Sequence, residues 1–213
     1  KVLQFIKGKE ILKIVYEQIF KSKYVSKIII ATSKNKSDDK IEFFCKKNKI
    51  EIFRGSLNNV ASRFNKIIKN NNCKEFIRIN ADSPLTSSLI INKLCKEFLR
   101  GKSEIVTNVF PRTFPKGQSA EIVKSLLITN NINKFNEHDL EHVTTYFYRN
   151  YKKFKIKNIR NNINQSKYNL SVDTKKDLSN INIIASNYDI YNFNLANLSQ
   201  ELKKKIKHEK IKN

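Results

Sequence analysis

The sequence predicts an α/β protein, a three-layer α/β/α sandwich built on a mostly parallel, Rossmann-like sheet. Three observations carry this expectation. Short β-branched runs alternate with stretches of helical period through the first half of the chain. Strands separated in this way need crossover helices, which cover both faces of a parallel sheet. At 213 residues the chain can bury a substantial core as one domain without disulfide or metal staples. No internal repeat or interdomain linker interrupts it, so residues 1–213 are read as a single domain with a helical, basic tail at 190–213.

The elements follow in order. Residues 9–21 place Ile11, Leu12, Val15, Tyr16, Ile19 and Phe20 on one helical stripe. "KIIIATS" (27–33) is a continuous β-branched run of the kind buried on both faces of a parallel sheet. Residues 38–47 read as helix, "IEIFRGS" (50–56) as strand, 58–69 as helix, "FIRINAD" (76–82) as strand and 87–99 as helix. "EIVTNV" (104–109) is a further strand, "PRTFPKG" (111–117) a loop, and "SAEIV" a strand that could return antiparallel. Residues 137–149 read as one helix, "FKIKNIR" (154–160) as strand, and 174–188 and 194–207 as the last two helices.

A net charge of +23 raises nucleic-acid binding as a function class. The lysines are dispersed among Asn and Ile, however, and clusters such as "ELKKKIKHEK" lack the aromatic interleaving of a base-stacking surface, which argues against it. Cys45, Cys73 and Cys95 are odd in number and show no CxxC spacing, so they are read as reduced packing residues of a cytoplasmic protein. No stretch approaches a membrane span, and "KVLQFIKGKE" has no signal-peptide core.

Ligands of open α/β sheets bind beyond the carboxyl ends of the strands. Three expected strands end there in polar clusters, "ATS", "RGS" and "NADS". Asp82 in the last of these either caps the following helix, with Ser87 as competitor, or serves as a hard oxygen ligand for Mg²⁺ shared with substrate phosphates. "NLSVDTKKDL" (169–178) repeats the pattern of apolar run, aspartate and helix. Thr174 and Asp177 have the spacing of a capping box, leaving Asp173 free of that duty. Two such aspartates without a His or Cys partner set fit magnesium better than zinc. The alternative for Asp173 is a plain ion pair with a surface lysine. His142 sits on a stretch whose Val143, Tyr146 and Phe147 look core-facing, where a structural hydrogen bond competes with a substrate contact. "KGKEI" is too little for a phosphate loop.

"IIIATSKNKSDD", "FRGSLNNVASRF", "RINADSPL", "PRTFPKGQSAEI", "EHVTTYF" and "VDTKKDL" resemble, in order and spacing, bacterial cytidylyltransferases of the spore-coat polysaccharide F type, which are similar to the enzymes that make CMP-activated acidic sugars. The resemblance runs from Lys1 to about Ile184 and implies a sheet of the nucleotide-diphospho-sugar transferase type. It implies that Asp82 and Asp173 hold Mg²⁺ and are catalytic. It also implies that Lys1, Thr32, Ser33, Arg54, Ser56, Asn59, Arg63, Asn80 and Ala81 belong to the CTP site. Arg112, Gln118, Ser119, Glu121 and His142 would meet the acceptor sugar or sugar acid and the partner of a homodimer. Some relatives carry acidic residues where this chain has Leu57, Asn58, Ser62 and Ser119. Such enzymes open with a strand and a loop of the form Ala-Arg-x-x-Ser-x-Arg-Leu-Pro-Gly-Lys, of which this sequence carries only the last position, Lys1. The chain as given is therefore expected to bind CTP poorly, for want of donors to the β- and γ-phosphates. Two other readings accompany this one: a noncatalytic paralogue, and a nucleotide-sugar glycosyltransferase, whose Asp-x-Asp motif does not occur in this sequence.

Overall fold

The computed structural model describes residues 1–193 and 195; the helix expected at 194–207 lies outside the described residues, apart from Leu195. Strands β1 (Phe5–Ile6) and β2 (Lys9–Glu10) form an antiparallel hairpin whose two-residue loop is Lys7 and Gly8. Both loop residues have positive φ, 48° and 77°, which gives a turn whose twist matches the flanking strands. The Lys-Gly-Lys stretch is a hairpin turn. Helix α1 (Ile11–Phe20) follows at once and buries Ile11, Leu12, Ile14, Val15 and Gln18. Ile14 and Gln18 replace Tyr16 and Phe20 of the expected stripe, and Phe20 is exposed with its ring stacked 6.1 Å from Tyr16.

Strand β3 (Ile29–Ser33) pairs in parallel with β4 (Glu51–Gly55) through the crossover helix α2 (Asp39–Lys47). Helix α3 (Val60–Asn70) leads to β5 (Glu75–Ile79), and α4 (Ser88–Phe98) leads to β6 (Ile105–Thr107). Strand β7 (Ala120–Lys124) lies antiparallel between β5 and β6, and β8 (Ile156–Asn158) joins β6 in parallel. The α/β class is as expected, and β7 returns antiparallel; the sheet is consequently mixed, in the order β5-β7-β6-β8, with β3-β4 as a separate pair.

Alternation along the strands divides the core between two faces. Ile77, Val106 and Ile122 pack with α4, whereas their neighbours Phe76, Ile105 and Val123 pack with α3 and the helices after β7. That is the period-two pattern of a strand buried on both sides. Helices α1 and α3 tie β3-β4 to the larger sheet: Leu12 shares a cluster with Ile30 and Ile52 while Ile19 packs toward Ile77 and Ile79, and the Phe64 ring lies 5.3 Å from Phe76 on the opposite face. A third cluster closes the base, where α8 (Lys175–Asn187) packs Ile181, Ile184 and Ala185 against Ile6, Ile11 and Ile14.

The chain departs from expectation in four further places. The stretch 137–149 is two short helices, α6 (Glu137–Glu141) and α7 (Thr145–Arg149), because Val143 turns the chain at φ 29° while burying its side chain completely. Helix α5 (Ser125–Asn131) was not anticipated. The strand expected at 76–82 ends at Ile79, so Asn80, Ala81 and Asp82 lie in the loop beyond it. Residues 169–172 make a single bridge, Lys116 to Asn169, where an apolar strand end was expected.

Candidate active site

Asp82 and Asp173 meet. Their segments are stitched by a backbone hydrogen bond in which Val172 N–H donates to the Asp82 carbonyl at 2.9 Å. Lys1 Nζ then lies 2.9 Å from Asp82 Oδ2 and 2.7 Å from Asp173 Oδ1. Ser83 Oγ donates to Asp82 Oδ1 at 3.1 Å, and Ser171 Oγ, which donates to Asn169 Oδ1 at 2.6 Å, lies 3.2 Å from Asp173 Oδ2. The Lys1 hydrogen bond and charge hold the Asp173 carboxyl below its usual range, against a smaller opposing effect of burial. Neither carboxylate caps a helix. Thr174 and Asp177 form the expected capping box of α8, and Ser87 stands at the N-cap of α4 without a side-chain hydrogen bond to it.

The segment carrying Asp173 is positioned by the loop around Gly117. Gly117 has φ 86°, and a Cβ there would sit 2.5 Å from the Leu170 carbonyl carbon, so only glycine allows this close crossing. Around it, Lys116 N–H donates to Tyr168 O at 3.0 Å and Leu170 N–H to Lys116 O at 2.8 Å. Gln118, 2% exposed, donates from Nε2 to Leu85 O and leaves its Oε1 buried without a partner. Buried Asn108 bonds both Gln118 O and Ala120 N.

Glu121 lies 1% exposed beneath this loop. Its carboxylate takes a 2.6 Å ion pair from Arg78, directly opposite it in the β5-β7 register, and the Tyr148 hydroxyl donates to its other oxygen. Burial and the Glu121 charge push the Tyr148 phenol well above its ordinary range. Arg112 donates to Ser119 Oγ at 3.0 Å, and its burial lowers the guanidinium's pKa while Glu121 opposes that. Arg78, Asn108 and Tyr148 were not among the residues expected here. His142 is exposed and its ring lies 4.5 Å from that of His138, so its environment is the surface rather than this network.

At the β3-β4 end several expected nucleotide residues are engaged within the protein. The hydroxyls of Thr32 and Ser33 donate to Asp38 Oδ2 at 2.7 and 2.6 Å. Burial alone would raise the Asp38 carboxyl, but these donors and Ser33 N–H outweigh it and lower it. Arg54, expected to face phosphate or base, is engaged within the protein: it pairs with Asp39 at 2.7 Å and with Glu42, and donates to Ser33 O and Asn35 O. Asn59 accepts from Ser62 N–H as the N-cap of α3, and Ser56 Oγ accepts from Asn59 N–H. Arg63 differs: its guanidinium is desolvated, its Nε is buried without a partner, and Asp38 is the neighbouring charge. Ala81 packs beside Ile30 and Ile52, and Asn80 is exposed. A cavity of about 530 Å³ opens here, lined by Lys34, Asn35, Arg54, Ser56 and Lys66 among others.

Cys45 and Cys95 are buried free thiols pushed up to about 11 by desolvation, as packing residues should be. Among the described residues, no helix is long and apolar enough to cross a membrane.

The whole arrangement has counterparts of known fold. A cytidylyltransferase from Leptospira borgpetersenii is 30% identical and superposes with a TM-score of 0.89 over 97% of this chain and 88% of its own. The structure of CMP:2-keto-3-deoxy-manno-octonic acid synthetase complexed with CTP shares the fold at 12% identity, with a TM-score of 0.65 over 88% of this chain and 92% of that one. Spore coat polysaccharide biosynthesis protein SpsF of Bacillus subtilis is 25% identical over 189 residues, covering 85% of this chain and 78% of its own. The cytidylyltransferase family model matches residues 1–206; with nearly the full chain matched, this protein belongs to the cytidylyltransferase family.

Proposed function

We propose that this protein transfers CMP from CTP to a hydroxyl or phosphate oxygen of a sugar or sugar acid, with Mg²⁺, in the making of a surface glycan. The observation that carries the proposal is the convergence of Asp82 and Asp173 on one cationic group, the Lys1 ammonium, at 2.9 and 2.7 Å. A cation already fits between these oxygens, and the donor set is hard carboxylate oxygen, the kind that suits magnesium. Two carboxylates leave the rest of a magnesium coordination sphere to water and substrate phosphates. Asp82 and Asp173 would hold the ion, and when bound it would supply positive charge against the phosphates and the departing pyrophosphate.

In the reaction an acceptor oxygen attacks the α-phosphorus, forms the new P–O bond and gives up its proton, while the bond to the β-phosphate oxygen breaks and pyrophosphate leaves. The residues' work is positioning and electrostatics, so no nucleophilic side chain is required. Arg63, with a buried unpartnered Nε, is the strongest remaining donor for the nucleotide. Arg112 over Glu121 supplies a desolvated cation suited to an anionic group of the acceptor. The test is to incubate full-length protein with CTP, the other nucleotides and a panel of acidic and neutral sugars, following nucleotide-sugar and pyrophosphate by mass. A CMP-sugar that vanishes with Asp82→Asn supports the reading; transfer that survives Asp82→Asn at saturating Mg²⁺ removes it.

A further inference from the structure

Asp82 Oδ1 accepts from Ser83 Oγ and Asp173 Oδ2 has only a 3.2 Å contact to Ser171 Oγ, whose shorter bond goes to Asn169 Oδ1, while Asp82 Oδ2 and Asp173 Oδ1 both face Lys1 Nζ. Two carboxylates brought this close repel one another unless a cation lies between them. An ammonium supplies that charge from the gap between the two oxygens, and a divalent cation entering the same gap would meet a like charge at close range, so the two compete for it. The side chains are accessible, with relative exposures of 40% for Lys1, 22% for Asp82 and 58% for Asp173. Elsewhere the fully buried acids take a different partner: Glu121 pairs with Arg78 and Asp139 with Arg149, which donates to both its oxygens. A guanidinium fork locks a carboxylate, whereas a hydrated ammonium on a flexible four-carbon stem exchanges readily.

We propose that Lys1 is a built-in counter-ion that competes with the divalent cation for Asp82 and Asp173. It keeps the carboxylate pair assembled before loading and is expelled when metal enters, and its freed ammonium then becomes available to the phosphates of the incoming nucleotide. The inference rests on the assignment of Asp82 and Asp173 as the metal ligands. It makes two effects of one side chain run in opposite directions: Lys1 weakens metal binding to the nucleotide-free protein and strengthens binding of the metal-nucleotide complex.

Mn²⁺ is the probe, titrated into full-length protein without nucleotide and counted as free ion by electron paramagnetic resonance. Lys1→Met should bind Mn²⁺ about three- to tenfold more tightly than wild type, the gain from removing an internal competitor for an accessible site. Lys1→Arg should return the affinity toward wild type. Binding of Mg²⁺-CTP should weaken in Lys1→Met. Unchanged or weaker Mn²⁺ binding by Lys1→Met, with binding still lost in Asp82→Asn, overturns the competition while leaving the metal assignment standing. Mn²⁺ binding indifferent to both Asp82→Asn and Asp173→Asn removes the metal assignment, and the competition with it. A second measurement needs no variant: in wild type labelled at lysine Nζ, Mg²⁺ should shift the Lys1 ammonium resonance toward that of a free lysine, and a resonance that stays put contradicts the exchange.

Discussion

At the β3-β4 end of the molecule Arg54 donates to two carbonyls and pairs with Asp39 and Glu42, and Asp38 collects the hydroxyls of Thr32 and Ser33. At the end of β5, Asp82 and Asp173 share one lysine ammonium and two serine hydroxyls. Both regions are rich in polar residues beyond strand ends, yet their groups are satisfied differently. In the first, several charges close on each other through many short contacts, and removing one would strand others. In the second, among the described residues, one accessible ammonium faces both carboxylates. The contrast separates side chains that hold the loop shapes from those free to meet a ligand, and it moves Arg54 into the first group.

The largest effect should come from the second region. Asp82→Asn and Asp173→Asn each keep size and shape but lose the charge, and each should lower CMP transfer by about 10²–10³-fold, the range for losing one preorganised electrostatic partner. Thermal melting should stay near wild type, since both carboxylates are accessible. A stability loss that tracks the activity loss would place them with the scaffold instead. Next comes the glycine that lets the loop cross the Asp173 segment. Gly117→Ala strains a φ of 86° and forces a Cβ to within 2.5 Å of Leu170, so it should cost ~1–3 kcal/mol. It should also weaken Mn²⁺ binding by displacing Asp173. Full metal binding in that variant would uncouple the two segments.

In the first region the expected effect is chiefly on stability. Asp38→Ala leaves the buried hydroxyls of Thr32 and Ser33 without their acceptor, at ~1–3 kcal/mol, or a fall in Tm of roughly 2–4 °C for each kcal/mol in a chain of this size. Metal binding at Asp82 should not change. The smallest effect is on the acid limb. Asp38, Asp139 and Asp173 all sit below the ordinary 3.8 in the folded protein: burial opposes the shift in Asp38 and Asp139 but is outweighed, in Asp139 by Arg149, Thr145 and the Asn136 N–H. A depressed carboxyl binds fewer protons folded than unfolded. Its contribution is complete above the unfolded value and disappears as pH falls through the folded one. Unfolding free energy should therefore decline below about pH 4, less steeply in Asp139→Asn; an identical slope in that variant would remove Asp139 from the account.

Much of this was legible in the sequence because the signals are local. The β-branched runs around Ile30, Ile52 and Ile77 alternate with helical stripes, and Thr174 with Asp177 announces a helix start in four residues. The break between α6 and α7 left no such mark. No Gly or Pro stands at 142–144, and the apolar spacing of Val143, Tyr146 and Phe147 continues across the turn, because Val143 is buried while adopting a backbone that a β-branched residue rarely takes. In the site, each aspartate could be found from its own neighbourhood. The Arg78-Glu121 pair could not, since it depends on the register of two strands with a helix and a third strand between them in sequence. The pairing of Arg54 with carboxylates of a neighbouring helix could be foreseen as an alternative but not decided, because its position at a strand end favours a phosphate or base contact.

The most direct test of the central claim is a crystal of the full-length protein with CTP and Mn²⁺, read by anomalous scattering. The account predicts a manganese peak coordinated by both Asp82 and Asp173, with Lys1 Nζ withdrawn from between them. A peak bound elsewhere, with Lys1 still bridging the two carboxylates, would contradict it.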